Sequence, residues 1–390
     1  MKNVCITAAI RTAVGSLNKS LKNIPAHNLG SNVIEESINR SQIKKEEVDE
    51  IIMGQVLTGG AGQNPARQAM IQAGIPKEKT AYIVNQVCGS GIRSIVSGFQ
   101  SIKSMDTKII VAGGQENMSL APHSIYLRDG KKLGDVKITD TMINDGLWDA
   151  FHNYHMGMTA ENVAEKFQIT REDQDKFALK SQEKALSAQK KDRFKEEIMN
   201  LKIKSKNIVL DFNKDEHPRE GINIETLKKL KPVFKKNGSV TAGNSSGIND
   251  GAAAVTLMSV DEAEKRGIQK LVTIKSWASC GVEPSLMGTG PIPSSKKALD
   301  LAGWSMKDVD LFEINEAFAA QSIAVIKTLS IPEEKVNVNG GAIALGHPIG
   351  ASGTRIIVTL INEMIKRNSK KGLASMCIGG GMGIAICIER

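Results

Sequence analysis

Three residues in this chain combine reactive side chains with backbone settings that would expose them. Cys88 lies in Asn85-Gln-Val-Cys-Gly-Ser-Gly-Ile-Arg93, where a short strand ends and a helix follows a glycine turn. A thiol there faces the positive end of a helix dipole, which favours its thiolate and makes it a candidate nucleophile. The competing reading is a buried cysteine in a tight turn. His347 lies in the long block Val336 to Arg355, with glycines on both sides and Pro348 immediately after. Proline restricts the preceding residue to extended backbone, so His347 is expected in a loop, where its imidazole can act as a base near neutral pH. Cys377 ends an apolar run and precedes Gly379-Gly-Gly381. Free N–H groups in such a hairpin suit an anion or an oxyanion. Asn315, where a strand passes into a helix, offers an amide to a water or carbonyl, or merely caps the helix.

Other reactive residues read as structural. Cys5, Cys280 and Cys387 fall in apolar segments and are assigned to packing. His152 and His155 form H-x-x-H, but no third ligand accompanies them, so no metal site is expected. Thr58-Gly-Gly-Ala-Gly62 does not fit a dinucleotide-binding turn.

The elements that must position these residues are written twice. Val48-Asp-Glu-Ile-Ile answers to Val309-Asp-Leu-Phe-Glu at an offset of 261. Ile75-Pro-Lys-Glu-Lys79 answers to Ile331-Pro-Glu-Glu-Lys335 at 256, and Ser90-Gly-Ile-Arg93 to Ser352-Gly-Thr-Arg355 at 262. A fourth match pairs Ala112-Gly-Gly-Gln-Glu-Asn117 with Ile378-Gly-Gly-Gly-Met-Gly383 at 266. Strands are expected at 50–53, 108–112, 311–314 and 383–388, with helices at 89–101 and 353–366 between them. Such alternation implies mixed sheets with helices on their faces. Asn64-Pro65 reads as a helix start, and Thr170 with Asp173 as the capping box of a charged helix running to Lys191. The division expected is an N-terminal half over 1–118, completed by about 250–268, an inserted loop domain over 119–249, and a C-terminal half over 269–390. If the halves pack about a pseudo-twofold axis, the corners holding Cys88 and His347 meet.

Composition narrows the function further. A chain of 390 residues with 41% hydrophobic and 24% charged residues is a folded protein rather than a disordered one. Aromatics make up only 4%, too few for a single-strand nucleic-acid platform. The net charge of +9 is diffuse. Its densest run, Leu227 to Lys236, reads as a solvated face or as an attraction for a small polyanion; nucleic acid is not expected as a partner. Five widely spaced cysteines argue against a disulfide framework, and neither a targeting peptide nor a membrane span is read. A cytoplasmic protein is the expectation.

At these motifs the chain resembles the thiolase family, in its branch that forms acetoacetyl-CoA. The resemblance runs from Ala9-Ile-Arg-Thr-Ala-Val-Gly15 to the last strand, and the blocks around Cys88, His347 and Cys377 carry it. It implies a five-layer α-β-α-β-α core of two similar mixed-sheet halves and a loop domain that binds coenzyme A. It also implies a dimer, paired into a homotetramer through an excursion at about 124–136. The implied activity is reversible Claisen condensation of two acetyl-CoA to acetoacetyl-CoA and coenzyme A, without a separate cofactor. In the implied roles Cys88 carries the acetyl group and His347 is its base. Asn315 positions a water, Cys377 exchanges the α-proton, and the N–H groups of Cys88 and Gly379 hold the acyl oxygen. Leu147, His155, Met156, Arg219, Thr226, Phe234, Ala242, Ser246, Met287 and Phe318 fall where the family contacts the coenzyme. Arg219 and the basic run suit its phosphates, while Thr226 stands where the family often has serine. His155 resembles the short-chain members. The rival readings are a 3-ketoacyl-CoA thiolase for longer chains, a carrier-protein condensing enzyme and a non-catalytic lipid-binding relative. Cys377 speaks against the carrier-protein enzyme, and the presence of Cys88, His347 and Cys377 together speaks against the lipid-binding relative.

Overall fold

Short apolar runs with a period of two fold here as strands, and the amphipathic stretches between them as helices. A computed structural model describes residues 3–205 and 208–390. The strands of the core are β1 (Val4–Arg11), β2 (Glu50–Gly54), β3 (Thr80–Val84), β4 (Ile109–Asn117), β5 (Asn249–Ser259), β6 (Val272–Gly281), β7 (Leu311–Ile314), β8 (Lys371–Ile378) and β9 (Met382–Glu389). The helices that matter are α1 (Ala26–Arg40), α2 (Pro65–Gln72), α3 (Ser90–Ser104), α4 (Met156–Lys166), α5 (Arg171–Lys190), α6 (Pro291–Ala302), α7 (Ala319–Leu329) and α8 (Ile349–Arg367). Asn64 accepts from Arg67 N at the start of α2, and the Thr170–Asp173 box closes the start of α5. Among the described residues no helix is long and apolar enough to cross a membrane.

Hydrogen bonding joins the strands in the order β7-β8-β9-β6-β1-β5-β4-β2-β3. The order is two copies of one pattern. In the first half β3, β2 and β4 are parallel, and β5 and β1 follow antiparallel. In the second half a bridge at Val336, β7 and β8 are parallel, and β9 and β6 follow antiparallel. Within the sheet the halves are joined where Cys5 and Ile6 of β1 pair with Thr273 and Val272 of β6.

Alternation along each strand sends neighbouring side chains to opposite layers. Ile52, Ile110 and Ala112 face a central layer made of α3 and α8, whereas Ile51, Met53, Ile109 and Val111 face α1 and α2. In the second half Leu311, Ala374 and Met376 face the same central helices, and Phe312, Ile314 and Leu373 face α6 and α7. The result is five layers, helix–sheet–helix–sheet–helix. Each fully buried Ile or Leu of α8 contributes roughly 1.5–3 kcal/mol.

The two central helices touch backbone to backbone. A Cβ on Gly91 would lie 2.6 Å from Thr354 N, and one on Gly353 would lie 2.4 Å from Ile92 N. These contacts are reciprocal at the offset of 262, as a pseudo-twofold axis requires. Three of the four repeat matches occupy equivalent places. The fourth does not: Gly113 and Gly114 lie inside β4, whereas Gly379–Gly381 form the hairpin after β8. The strand registers put β4 on β8 with an offset of 262, not 266. That three-residue hairpin also shows where the first half is expanded, since residues 118–248 occupy the corresponding connection between β4 and β5. The expansion is tied back by a buried ion cluster. Arg11 of β1 donates to Glu197 (2.7 Å) and, through two nitrogens, to Asp215 (2.7 and 3.0 Å). Removing one partner of such a cluster costs about 3–5 kcal/mol.

Candidate active site

The corner between β3 and α3 is strained where it presents the thiol. Val87 has φ +46°, a left-handed conformation that a β-branched residue adopts only under constraint. The constraint is local: Asn85 Oδ1 accepts from Val87 N (3.0 Å), and Ser90 Oγ donates to Val87 O (2.6 Å). Gly89 is required by close approach, because a Cβ there would lie 2.4 Å from the Ile378 side chain. The Cys88 corner is thereby pressed against the end of β8, and the Cys88 thiol accepts from the backbone N–H of Gly379. Cys377 is near enough for charge on Cys88 to push its own pKa further up.

The expected stabilised thiolate is not what the resting corner holds. Burial outweighs the backbone donors and pushes the Cys88 thiol up to about 11. Cys377, more deeply buried, is raised still further. Both are thiols at neutral pH. Neither is ionised in the resting site, so a proton acceptor is required for either to act.

His347 sits in the loop between the short helix Ala342–Leu345 and α8, bridged to Ile248 in extended backbone. Gly346 before it has φ +101°, and a Cβ there would strike the Asn249 side chain. Asn249 Oδ1 accepts from His347 N (2.9 Å). The Ser352 hydroxyl has one proton and donates it to Pro348 O (2.8 Å). Its contact with His347 Nδ1 (2.5 Å) is therefore one in which Nδ1–H donates. Nε2 keeps its lone pair, facing Asn315 Nδ2 at 3.4 Å. Burial, helped by the positive charge of Arg355, lowers His347 to about 3. The residue is a neutral imidazole of defined tautomer with Nε2 as acceptor.

These groups are connected through shared neighbours. Cys88 packs against the apolar cluster that contains Ile349, two residues beyond His347. Asn315 N donates to Ser375 O (3.0 Å), two residues before Cys377. Cys377 shares a buried cluster with Met156, Met287 and Phe318. His347 and Phe318 line a cavity of about 640 Å³ together with Leu147, His155, Arg219, Phe234, Ala242 and Ser246. His155 stacks on Phe234 at 4.6 Å, and Phe318 meets Phe234 edge-on at 6.3 Å. His155 Nδ1 accepts from Gly157 N (3.0 Å). In the neutral ring, which burial favours, Nε2 therefore carries the proton.

Two of the anticipated coenzyme contacts, Met156 and Met287, stand behind the cavity beside Cys377 rather than along it. Thr226 is not among the residues lining it. That residue is exposed in the short helix Ile224–Lys228 and donates its hydroxyl to Asn223 O (2.7 Å). Sequence reasoning missed Asn249 and Ser352, which orient the imidazole, and Lys19 and His217, which line the cavity. Ser352 carried a legible signal, since it stands four residues after Pro348 at the start of a helical pattern.

The fold, a duplicated mixed-sheet core with two thiols and a histidine at the junction of its halves, defines a class. The N-terminal domain of thiolase matches residues 4–261 and its C-terminal domain residues 268–390. The chain belongs to the thiolase family. It is 56% identical over 388 residues to the acetyl-CoA acetyltransferase of Rhizobium meliloti, covering 100% of this chain and 99% of that one. The cytosolic acetyl-CoA acetyltransferase of Rattus norvegicus is 53% identical, with 99% and 98% covered. Among solved structures, the Bacillus anthracis acetyl-CoA acetyltransferase superimposes with a TM-score of 0.98 at 45% identity, covering 100% and 99% of the two chains. Human mitochondrial 3-ketoacyl-CoA thiolase in complex with CoA gives 0.96 at 42%, covering 100% and 98%.

Proposed function

We propose that this protein is an acetyl-CoA C-acetyltransferase that condenses two acetyl-CoA, reversibly, into acetoacetyl-CoA and coenzyme A. The observation that carries the reading is that Cys377 lies near Cys88, which accepts from Gly379 N, while His347 and Arg219 line one cavity with Phe318, a member of the buried cluster of Cys377. In the first half-reaction His347 Nε2 takes the Cys88 proton, and the sulfur attacks the thioester carbonyl. The N–H groups of Cys88 and Gly379 hold the developing oxyanion. Coenzyme A leaves with a proton from Cys377. Burial makes the Cys377 thiolate a strong base, and it removes the α-proton of the second acetyl-CoA. Protonated His347 donates to the enolate oxygen, with Asn315 beside it. The carbanion then attacks the acetyl-cysteine, and His347 returns its proton to the departing Cys88. Asn315 Oδ1 is buried and has no protein partner among the described residues, which suits a water O–H as its donor.

Leu147, His155, Phe234, Ala242, Ser246 and Phe318 would wall the pantetheine and acyl group, and Arg219 would meet the phosphates. The reaction needs no cofactor beyond the coenzyme A of substrate and product. The alternative, a thiolase for longer chains, is disfavoured by the stacked His155–Phe234 pair at the cavity wall. Association into a homotetramer is supported by the excursion between His123–Ser124 and Thr139–Asp140, on which Tyr126, Leu133 and Ile138 are exposed. A cytoplasmic setting fits the free cysteines. The test is thiolysis of acetoacetyl-CoA against a ten-carbon 3-ketoacyl-CoA. Faster turnover of the four-carbon substrate is expected, and preference for the longer chain would overturn the assignment.

A further inference from the structure

The correspondence between the halves reaches into the site. With an offset of 262, Cys88 maps onto Gly350, Cys377 onto Gln115, Ile378 onto Glu116 and Gly379 onto Asn117. The second copy of the catalytic corner has neither thiol. It holds a carboxylate instead. Glu116 Oε2 accepts from Gly350 N (2.9 Å) and Val56 N (3.0 Å), and Oε1 accepts from Leu57 N (3.2 Å). Gly350 N is the counterpart of Cys88 N, one of the two donors assigned to the acyl oxygen. Where the working corner keeps that donor for substrate, its twin has it occupied by an internal carboxyl group at the start of a 19-residue helix. Glu116 is fully buried and does not line the cavity.

We infer that Glu116 is a positioning residue for acyl transfer, pinning the start of α8, and with it His347, to the loop after β2 that packs beside Cys88. This rests on the acyl-transfer reading. Gly350 is the third residue after His347. Val56, Leu57 and Ile349 form the apolar cluster on which Cys88 lies. One carboxylate therefore ties the loop of the base to the wall of the nucleophile, through main-chain donors that no side-chain change elsewhere would replace. Its titratable surroundings include Asp250 on β5 and Cys88 on the α3 corner. Burial raises Glu116 itself to about 7; ionised, at the higher pH where Cys88 titrates, it adds a small upward push to the Cys88 pKa, so its removal is expected to lower that pKa slightly.

Steady-state condensation and iodoacetamide alkylation of Cys88 as a function of pH test this with Glu116→Gln and Glu116→Asp. Glutamine keeps the size but loses the charge and turns an NH₂ towards N–H donors. Aspartate keeps the charge but falls one methylene short. Both are expected to lose about 10- to 100-fold in kcat with KM for acetyl-CoA within about twofold. Alkylation should shift to lower pH in Glu116→Gln and keep the wild-type profile in Glu116→Asp. A merely loosened fold would not move the two variants apart in this way. Wild-type kcat in either variant, or an unshifted profile in Glu116→Gln, would overturn the inference. If Glu116→Gln does not fold, kcat and KM of Glu116→Asp decide it by the same criteria. Failure of wild-type enzyme to acetylate Cys88 would instead remove the acyl-transfer reading itself.

Discussion

Ser352 spends its only proton on the Pro348 carbonyl, and this small fact decides which nitrogen of His347 can act. Replacing Ser352 by Ala frees Nδ1 to hold or lack the proton and leaves a buried N–H unpaired when it holds it, at a cost of about 1–3 kcal/mol. Ser352→Ala is therefore expected to lower kcat by roughly 10- to 100-fold while KM for acetyl-CoA changes little. Steady-state kinetics checks this, and an unchanged kcat would show that the tautomer does not matter. The candidate residues stood out because cysteine and histidine amid glycines at strand ends have few structural uses. What held them was not. Asn249 and Ser352 are ordinary polar residues whose partners appear only when distant segments meet. The same blindness explains the expectation of a stabilised thiolate. A helix start is visible in sequence, but the burial that overrides it, raising Cys88 to about 11, is not.

Among the elements, the α3–α8 contact carries the argument, because it sets two strand-to-helix corners against each other. It depends on small residues at reciprocal positions. Gly91→Ala places a Cβ 2.6 Å from Thr354 N, where backbone must yield. A cost of about 1–3 kcal/mol or more is expected, read as a lowered midpoint of thermal unfolding. An unchanged midpoint would mean that the helices have room to separate. Period-two apolar runs made the strands readable, and caps such as Asn64-Pro65 and Thr170–Asp173 marked helix starts. The misplaced fourth repeat match has a physical cause. Glycine serves two ends here, as a residue without Cβ where Gly114 of β4 meets Gly350 O, and as a turn residue at φ +84° in Gly380 and Gly381. Sequence alone does not tell these uses apart.

At the scale of the whole molecule, residues inserted between β4 and β5 close over the junction of the two halves and make a cavity of about 640 Å³. Arg219 belongs to that cavity, and Thr226 does not. Arg219→Ala should forfeit a charge-assisted contact of about 1.5–3 kcal/mol, raising KM for acetyl-CoA by roughly tenfold or more. Thr226→Ala should leave KM within about twofold. Equal effects from the two would show that the coenzyme follows another path. The layered architecture and its duplication were readable in advance. The division of labour among coenzyme contacts was not, since it depends on which insert residues face inward. The central claim is that two buried thiols divide the work, with Cys88 holding the acetyl group and Cys377 moving the α-proton. It is tested most directly in Cys377→Ala exposed to isotopically labelled acetyl-CoA, with the label located by peptide mapping and deuterium exchange at the acetyl methyl followed in parallel. Label on Cys88 and no exchange above the uncatalysed rate are expected; label on another residue, or exchange at the wild-type rate, would overturn this division.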